Sequence, residues 1–348
     1  MPPRRASTGR PRLHRLLLKY VISIALGFLM VWLAFRGEDW QSLGARLETV
    51  QPGPAWGYLG LFALAHLLRI QRWGLLVRAL GPISWRSVFS AGAIGYMCIT
   101  AFPLRLGEFV RPYLVRGQGG VTASGALATV VVERVIDGVL FVGLFFVFIA
   151  LLPESGHPAV GAVKVGAYMA GLFFVTLLVV LIAAYKKQEA TIALLSAIGR
   201  RIHAGLTERA VGLLRAFLDG LKVLPDRRRL VAFLAVTVVY WALQGWGVKL
   251  VADACSIPDM TWTGSFALLT VVVVGIMIPA GPGFTGSFEL AVKASFALLV
   301  LAPESRENML VFTVMLHLPQ VVVQLAFGLA WMLGGQVRLG RVVRESMS

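Results

Sequence analysis

The chain has 348 residues, of which 57% are hydrophobic and only 14% are charged, and its formal net charge is +16. A soluble domain carries roughly 25% charged residues, so this composition excludes an ordinary soluble protein and predicts several membrane-spanning helices. The basic residues cluster between apolar runs without the interleaved aromatic residues that stack bases, which argues against a nucleic-acid partner. We therefore expect one membrane domain with short tails and no separate catalytic domain.

Most lysines and arginines fall in a few polar segments. Of the 33, 26 lie in five segments: 1–19, 69–86, 105–116, 186–229 and 338–344. The segments between them are poor in basic residues: 36–53, 153–158, 253–259 and 303–307. By the positive-inside rule the first group faces the cytoplasm and the second group faces outward, so both termini are cytoplasmic. The first apolar run is longer than a signal-peptide core and is predicted to be a retained span.

The charge pattern also fixes a topology. Because 69–86 and 105–116 lie on the same side, the apolar stretch 88–104 between them must enter the membrane and return. The same argument makes 265–302 enter from the opposite face and return. We predict an all-α polytopic membrane protein with six full spans and two re-entrant helical hairpins of opposite orientation, an inverted pseudo-repeat. The spans are predicted at about 16–35, 54–73, 122–152, 160–185, 230–252 and 308–334.

The predicted organisation has three parts: a basic cytoplasmic tail at 1–15, a transmembrane domain at 16–335 and a cytoplasmic tail at 336–348. Within the domain, the segment 189–222 places apolar residues at helical spacing with arginines between them. This pattern is typical of amphipathic helices that lie on the cytoplasmic leaflet and hold anionic headgroups. A solvated helical linker is the alternative.

Both predicted hairpins break at proline and glycine, and each carries a glutamate and a basic residue just beyond the break. The first contains Pro103, Arg105, Gly107, Glu108 and Arg111. The second contains Gly281, Pro282, Gly283, Gly286, Glu289 and Lys293. Helices broken at corresponding places in the two halves of a membrane protein indicate a substrate site near the bilayer midplane. The pattern favours a transporter over a simple anchor.

Three charged residues, Glu133, Arg134 and Asp137, interrupt a long apolar helix. A charge at the bilayer centre costs about 2.5–3.5 kcal/mol on insertion scales, so each needs a partner or a function. Arg134 and Asp137 are three residues apart and can pair. The remaining negative charge predicts a basic partner from another segment. The candidates are Arg69, Arg72, Arg105, Arg111 and Lys293.

Two interpretations of these charges remain open. One is a buried ion-pair network that only locks helices together. The other is a pocket for a phosphate headgroup, since arginine donates two parallel hydrogen bonds to phosphate and helix N-termini after Pro103 and Pro282 add N–H donors. The predicted phosphate ligands are Arg69, Arg72, Arg105, Arg111 and Arg134, with Gly281, Gly283 and Gly286 allowing close backbone approach. The predicted groups for charge balance or proton relay are Glu108, Glu133, Asp137, Glu289 and Lys293.

Other residues carry weaker signals. Cys98 and Cys255 lie in or beside apolar segments and are interpreted as small residues within the core. His317 in the last span is interpreted as a histidine whose hydrogen bonds are satisfied within the protein. The sequence contains no cluster with metal-ligand spacing, no nucleotide-binding loop and no nucleophile motif. We expect no metal, no cofactor and no enzymatic activity.

Four motifs occur in an order known from one protein family. They are Arg69-x-x-Arg72-Trp73, Pro103-x-Arg105-x-Gly107-Glu108-x-x-Arg111, Val132-Glu133-Arg134-x-x-Asp137 and Pro279-x-x-Pro282-Gly283-x-x-Gly286-x-x-Glu289. Over about 16–335 the chain resembles the lysylphosphatidylglycerol synthase transmembrane region family, also called flippase-like domain proteins. That family usually has Pro-Gly-Gly-x-Gly in the second hairpin, where this chain has Pro282-Gly283-Phe284-Thr285-Gly286.

The resemblance implies a multi-pass protein of a bacterial or archaeal plasma membrane. The best-known members of the family join this region to a soluble aminoacyl-transferase domain and move aminoacylated phospholipid between leaflets. This chain resembles the members that stand alone without the transferase.

The leading hypothesis is a lipid translocase, flippase- or scramblase-like, that moves an anionic phospholipid or a polyprenyl-phosphate type of lipid between leaflets. The alternative is a membrane partner that presents a lipid to a glycosyl- or lipid-transferase without transporting it. A third class is an intramembrane enzyme that uses Glu108 or Glu133 as an acid or base. The sequence contains no ATPase motif, so movement is expected to be passive or driven by an ion gradient.

Overall fold

The computed structural model describes residues 25, 27–36, 43–151, 159–200, 204–221, 227–277 and 281–334. These residues form helices and turns with no strand among them, so the prediction of an all-α protein is confirmed. The helices are α1 (Leu43–Glu48), α2 (Pro52–Val77), α3 (Trp85–Ala101), α4 (Val110–Val115), α5 (Ala123–Leu151), α6 (Ala159–Lys186), α7 (Gln188–Arg200), α8 (Ala204–Gly220), α9 (Arg227–Ala254), α10 (Trp262–Gly275), α11 (Ser287–Leu298), α12 (Pro303–Glu307) and α13 (Met309–Leu333). A helical leading segment, residues 27–35, precedes them.

Long apolar helices lie where full spans are predicted, at α2, α5, α6, α9 and α13. Within the described part of the chain, three helices are long and apolar enough to cross a membrane: Val160–Lys186, Arg227–Ala254 and Met309–Leu333. These helices identify a multi-pass membrane protein. Of the predicted span 16–35, the structure describes residue 25 and the leading segment. The predicted tails at 1–15 and 336–348 lie outside the described residues.

The first helical hairpin is built from α3 and the chain that follows it. Phe102 has an extended backbone, φ −105° and ψ 142°, because a residue before proline is driven out of the helical region. A 3-10 segment, Pro103–Phe109, then returns alongside α3 and leads into α4. A Cβ on Gly107 would lie 2.1 Å from the Ile99 backbone nitrogen, so only glycine allows this close return. With 17 residues, α3 rises about 25 Å, less than a hydrocarbon core of about 30 Å.

The second helical hairpin consists of α10 and α11, which pack against each other. The 3-10 turn Pro282–Phe284 lies between them, and residues 278–280 fall outside the described part. With 14 and 12 residues, the two arms rise only about 21 and 18 Å. Both breaks occur where the sequence predicts them, and each leaves helices shorter than a full span.

The described part of the polar segment 189–222 is mainly helical, in α7 and α8, as the spacing of its apolar residues predicts. Ile192 of α7, Leu218 of α8 and Leu221, which directly follows α8, belong to one buried cluster with residues of α2 and α5. The Ser124 hydroxyl of α5 donates a hydrogen bond to the Leu213 carbonyl at 2.8 Å. The helix pair therefore packs on the bundle, which disfavours the alternative of a freely solvated linker.

Helix α2 occupies the centre of the fold. It lies along α9 and also contacts α3, α5 and α13. Its side chains contribute to apolar clusters on both sides, one shared with α9 to α13 and one shared with α3 to α5. His66 and Arg72 of α2 are therefore held away from solvent, where they can interact only with other parts of the protein or a ligand.

Candidate functional site

Arg72 of α2 forms the centre of a buried ion-pair network. Its guanidinium donates to Asp137 Oδ1 and Oδ2 at 2.6 and 2.8 Å and to Glu133 Oε1 at 2.7 Å. Asp137 is the middle residue of the 29-residue helix α5, and Glu133 lies one turn before it on the same face. Arg72 and Glu133 are fully buried, and Asp137 is 2% exposed. The charge-assisted bonds offset the cost of burying these groups.

A second buried arginine, Arg111 of α4, completes the network. Its Nη1 donates to Glu133 Oε2 at 3.1 Å and to the Tyr96 hydroxyl at 2.8 Å. Gly95 makes room for it, because a Cβ on Gly95 would lie 2.1 Å from Arg111 Cγ. The prediction that a basic residue from another segment pairs with the carboxylates of α5 therefore holds for Arg72 and Arg111.

Arg134 lies beside the carboxylates on α5 itself. Its Nη2 donates to Glu133 Oε1 at 2.9 Å and lies 3.6 Å from Asp137 Oδ2, in agreement with the predicted three-residue pairing. The indole of Trp241 on α9 donates to Asp137 Oδ1 at 3.2 Å. Asp137 thus interacts with two arginines and one indole and has little capacity for another cation.

Arg69 and Arg105 bring further positive charge to this region. The Arg69 guanidinium stacks 3.9 Å from the Tyr96 ring centroid, and no described residue accepts a hydrogen bond from it. Arg105 lies 3.6 Å from Glu108 and 5.0 Å from the Phe284 ring centroid. The buried Nε atoms of Arg105 and Arg134 have no hydrogen-bond partner among the described residues.

The charges gathered here do not balance. Five arginines are present, Arg69, Arg72, Arg105, Arg111 and Arg134. The carboxylates that pair with them, among the described residues, are Glu108, Glu133 and Asp137. The cluster therefore carries a formal net charge of +2, as five positive and three negative groups give. An excess of positive charge among partly and fully buried side chains favours the binding of an anion.

Part of this cluster opens into a cavity of about 90 Å³. Its cationic wall is formed by Arg69, Arg105 and Arg134, with Asp137 beside them. Three glutamines, Gln244, Gln320 and Gln324, also line it. The aromatic lining consists of Tyr58, Phe62, Tyr240, Trp241, Phe284 and Phe288, and aliphatic residues of α9, α10 and α13 complete the walls. Arg72 and Arg111 lie behind the wall rather than in it.

The tips of the two hairpins meet at this cavity. Arg105 and Phe284 both adopt left-handed backbone conformations, with φ of 56° and 64°. Non-glycine residues rarely adopt this region, and each such residue costs about 1–3 kcal/mol. The contact between the Arg105 guanidinium and the Phe284 ring joins the hairpins at these two strained positions.

Glu289 does not join the arginines. Its Oε1 lies 2.7 Å from His317 Nδ1, and its Oε2 accepts a hydrogen bond from the Gly286 N–H at 2.6 Å. His317 Nε2 lies 2.7 Å from the Gly283 carbonyl oxygen. His317 thus has a hydrogen-bond partner on each ring nitrogen, as predicted. The Gly286 N–H before α11 is bound by Glu289 and is not available to a ligand.

The remaining predicted site residues lie away from the cavity wall. Lys293 Nζ donates to the Ala34 carbonyl of the leading segment at 2.6 Å. Gly286, with φ +97°, faces the same segment, because a Cβ there would lie 2.6 Å from the Gly27 carbonyl oxygen. Gly281 also contacts Gly27. Two of the three predicted glycines therefore allow helix contact, and Gly283 supplies the carbonyl that His317 binds.

Several site residues were not predicted from the sequence. Tyr96 links Arg69 to Arg111, and Trp241 binds Asp137. The glutamines of the cavity could have been found, because an amide inside a long apolar helix is as exceptional as a charge. Among the described residues no three His, Cys, Asp or Glu side chains are grouped as metal ligands. Cys98 and Cys255 are free and buried.

Comparison with known proteins agrees with the motifs. Residues 20–328 match the family described as lysylphosphatidylglycerol synthase TM region, which confirms the resemblance. The chain is also 26% identical over 377 residues to a protein named Glycosyltransferase AglD from Haloferax volcanii. That alignment covers 97% of this chain and 58% of the relative, so the chain spans a little over half of the relative's length.

The ion-pair network predicts a specific loss of stability. Glu133→Gln removes the charge shared by Arg72, Arg111 and Arg134 and leaves three buried cations short of a partner. We expect the free energy of unfolding in detergent to fall by about 3–5 kcal/mol. Glu304→Gln, an exposed residue of α12, is the matched control and should change it by less than about 0.5 kcal/mol. Equal stability of the two variants would show that the network does not hold the helices together.

Proposed function

The chain belongs to the lysylphosphatidylglycerol synthase TM region family, and from this membership and its cavity we propose that it is a lipid translocase. It moves a phosphate-containing lipid between the leaflets of a bacterial or archaeal plasma membrane and acts without catalysing a reaction. The observation that carries the proposal is the formal surplus of two positive charges in the arginine cluster, three of whose arginines line the cavity. An anionic headgroup is the natural counter-charge at this depth.

The chemistry of the cavity wall supports phosphate as the anion. Arginine presents a planar set of N–H donors that matches phosphate oxygens and binds them more specifically than lysine does. Arg69 has no acceptor among the described residues, and the Nε atoms of Arg105 and Arg134 are buried without one. A phosphate group in the cavity would provide acceptors for these donors.

The arginines divide into two groups with different roles. Arg72 and Arg111 are fully buried, pair with carboxylates of α5 and are not among the residues that line the cavity, so their role is to hold α2, α4 and α5 together. Arg69, Arg105 and Arg134 line the cavity and would contact the phosphate. Both interpretations of the sequence, a locking network and a binding pocket, therefore apply, but to different residues.

The two hairpins define the proposed path. We place six full spans and two re-entrant hairpins of opposite orientation in the membrane, with both termini in the cytoplasm. Short hairpin arms support this topology, as do the basic segments on one side of the spans. The headgroup passes between the tips at Arg105 and Phe284, while the acyl or prenyl tails stay in lipid.

Glu289 and His317 form the proposed proton carrier. His317 Nε2 must carry a proton to donate to the Gly283 carbonyl, so Nδ1 faces the Glu289 carboxyl group with one proton between them. That proton can reside on either group, as imidazolium with carboxylate or as neutral imidazole with carboxylic acid. Because the Gly283 carbonyl adjoins Phe284, protonation of this pair is coupled to the tip of the second hairpin.

The name of the relative Glycosyltransferase AglD suggests a second candidate function, in which the chain works with a transferase. The alternative is a chain that presents lipid to a transferase without moving it. That function predicts lipid binding with no transfer between leaflets in purified vesicles.

Cysteine accessibility tests the topology. Arg86→Cys and Arg116→Cys flank the first hairpin, and Pro258→Cys and Arg306→Cys flank the second, all at exposed positions. In intact cells an impermeant thiol reagent should label only the second pair, and opening the cytoplasmic side should add the first pair. The native cysteines are buried and give a low background. Labelling of the two members of either pair from opposite sides would contradict re-entry.

Replacement of the arginines tests the binding role. Arg69→Gln and Arg105→Gln each remove charge-assisted bonds to phosphate worth about 1.5–3 kcal/mol, so transport should fall about 10- to 100-fold in liposomes containing anionic lipid. Stability should change little. Arg72→Gln should instead lower stability strongly, and exposed Arg228→Gln should alter neither property. Wild-type transport rates in both Arg69→Gln and Arg105→Gln would refute the pocket.

If Glu289 and His317 carry the proton, replacing Glu289 should uncouple lipid transport from the pH gradient without abolishing lipid binding. Glu289→Gln still accepts the Gly286 N–H and contacts His317, but it removes the shared proton. We expect lipid binding to persist while transport in proteoliposomes no longer responds to an imposed pH gradient. Glu304→Gln should retain the response. A full response in Glu289→Gln, or none in the wild type, would rule out this pair as the coupling site.

A further inference from the structure

The cavity has a second polar wall, made of amides and aromatic rings, that the binding of phosphate does not use. Gln244 and Trp241 come from α9, and Gln320 and Gln324 come from α13, where they are four residues apart and share a face. Trp241 binds Asp137, which in turn contacts Arg134, so this wall adjoins the cationic wall.

The amide wall has unused hydrogen-bonding capacity. Gln324 is only 5% exposed, its Nε2 donates to the Gln320 backbone carbonyl at 3.2 Å, and its Oε1 has no partner among the described residues. A buried amide oxygen without a partner costs about 1–3 kcal/mol. A ligand group that donates a hydrogen bond at this position would recover that cost.

From these residues we propose that the headgroup is an uncharged, polyhydroxylated group, a sugar or polyol, joined to the phosphate. This inference rests on the proposed function and specifies its substrate class. A hydroxyl group donates and accepts hydrogen bonds, and so does each glutamine amide, which makes the two complementary. Trp241, Tyr240 and Tyr58 add rigid aromatic faces against which the apolar face of a sugar ring can pack.

The charges of the arginine cluster and its carboxylates argue against a cationic headgroup. An ammonium group only donates hydrogen bonds and needs carboxylates or carbonyls around it. Among the described residues that line the cavity, Asp137 is the one carboxylate, and it is already bound to Arg72, Arg134 and Trp241. A cation there would also face a cluster whose net charge is +2. An aminoacylated lipid is therefore disfavoured by the charge of this cavity.

Four lipids with identical acyl chains distinguish a preference for a polyhydroxylated headgroup from a preference for a bare phosphate or for a cationic headgroup. The protein in neutral phosphatidylcholine nanodiscs is titrated with phosphatidylinositol, phosphatidylglycerol, phosphatidic acid or lysyl-phosphatidylglycerol, and the apparent Kd is measured from the rise in Tm. We expect phosphatidylinositol to bind at least about 10-fold more tightly than phosphatidic acid. Phosphatidylglycerol, with two hydroxyls, should be intermediate, and lysyl-phosphatidylglycerol should be the weakest.

Two variants make the test specific. The double variant Gln320→Leu/Gln324→Leu should lose the preference for phosphatidylinositol and keep its affinity for phosphatidic acid. Gln188→Leu, at the start of α7 and away from the cavity, should keep both. Equal binding of all anionic lipids, or a preference for the lysyl lipid, would overturn the sugar or polyol assignment while leaving a phosphate-lipid translocase intact. Binding of none of the four would refute both proposals.

Discussion

The carboxylates of Glu133 and Asp137 are the groups on which the rest of the structure depends. They lie at the middle of an otherwise apolar helix, where an unpaired charge is costly, and they are satisfied only if Arg72 and Arg111 arrive from other segments. This requirement brings α2, α4 and α5 together. Because α2 also packs on α9 and α13, the same arrangement brings the glutamines and aromatic residues of those helices to the cavity.

The contact between the hairpins is much weaker than this network. Arg105 and Phe284 are held in left-handed conformations that cost energy, and a cation–π contact at 5.0 Å with a loose ion pair to Glu108 offsets only part of it. The helices joined by the ion-pair network are thus held firmly, whereas the contact between Arg105 and Phe284 at the hairpin tips is weak. For the proposed translocase this difference is useful, since the tips can separate around a headgroup while the network behind them stays intact.

The sequence predicts the helices well because long apolar runs and the breaks at Pro103 and Pro282 are local features. It also predicts that α5 needs a basic partner, but it cannot choose Arg72 and Arg111 among five candidates, since that depends on how helices pack. Gly286 illustrates the same difficulty: a glycine shows that something approaches closely, and here it is the leading segment instead of a ligand. The pairing of Glu289 with His317 joins residues 28 positions apart on different helices and has no local signal.

The unequal charge of the cluster separates a structural role from a binding role. If the network served only to lock helices, selection for stability would favour equal numbers of opposite charges, because every unpaired buried charge is a cost. Among the described residues, unpartnered donors occur on both sides of the cluster, at Nε of Arg72 and at Nε and Nη2 of Arg111 as well as at the Nε atoms of Arg105 and Arg134. Of the five arginines, Arg69, Arg105 and Arg134 line the cavity. An anionic ligand there would reach these three arginines and offset part of the cost of the surplus charge.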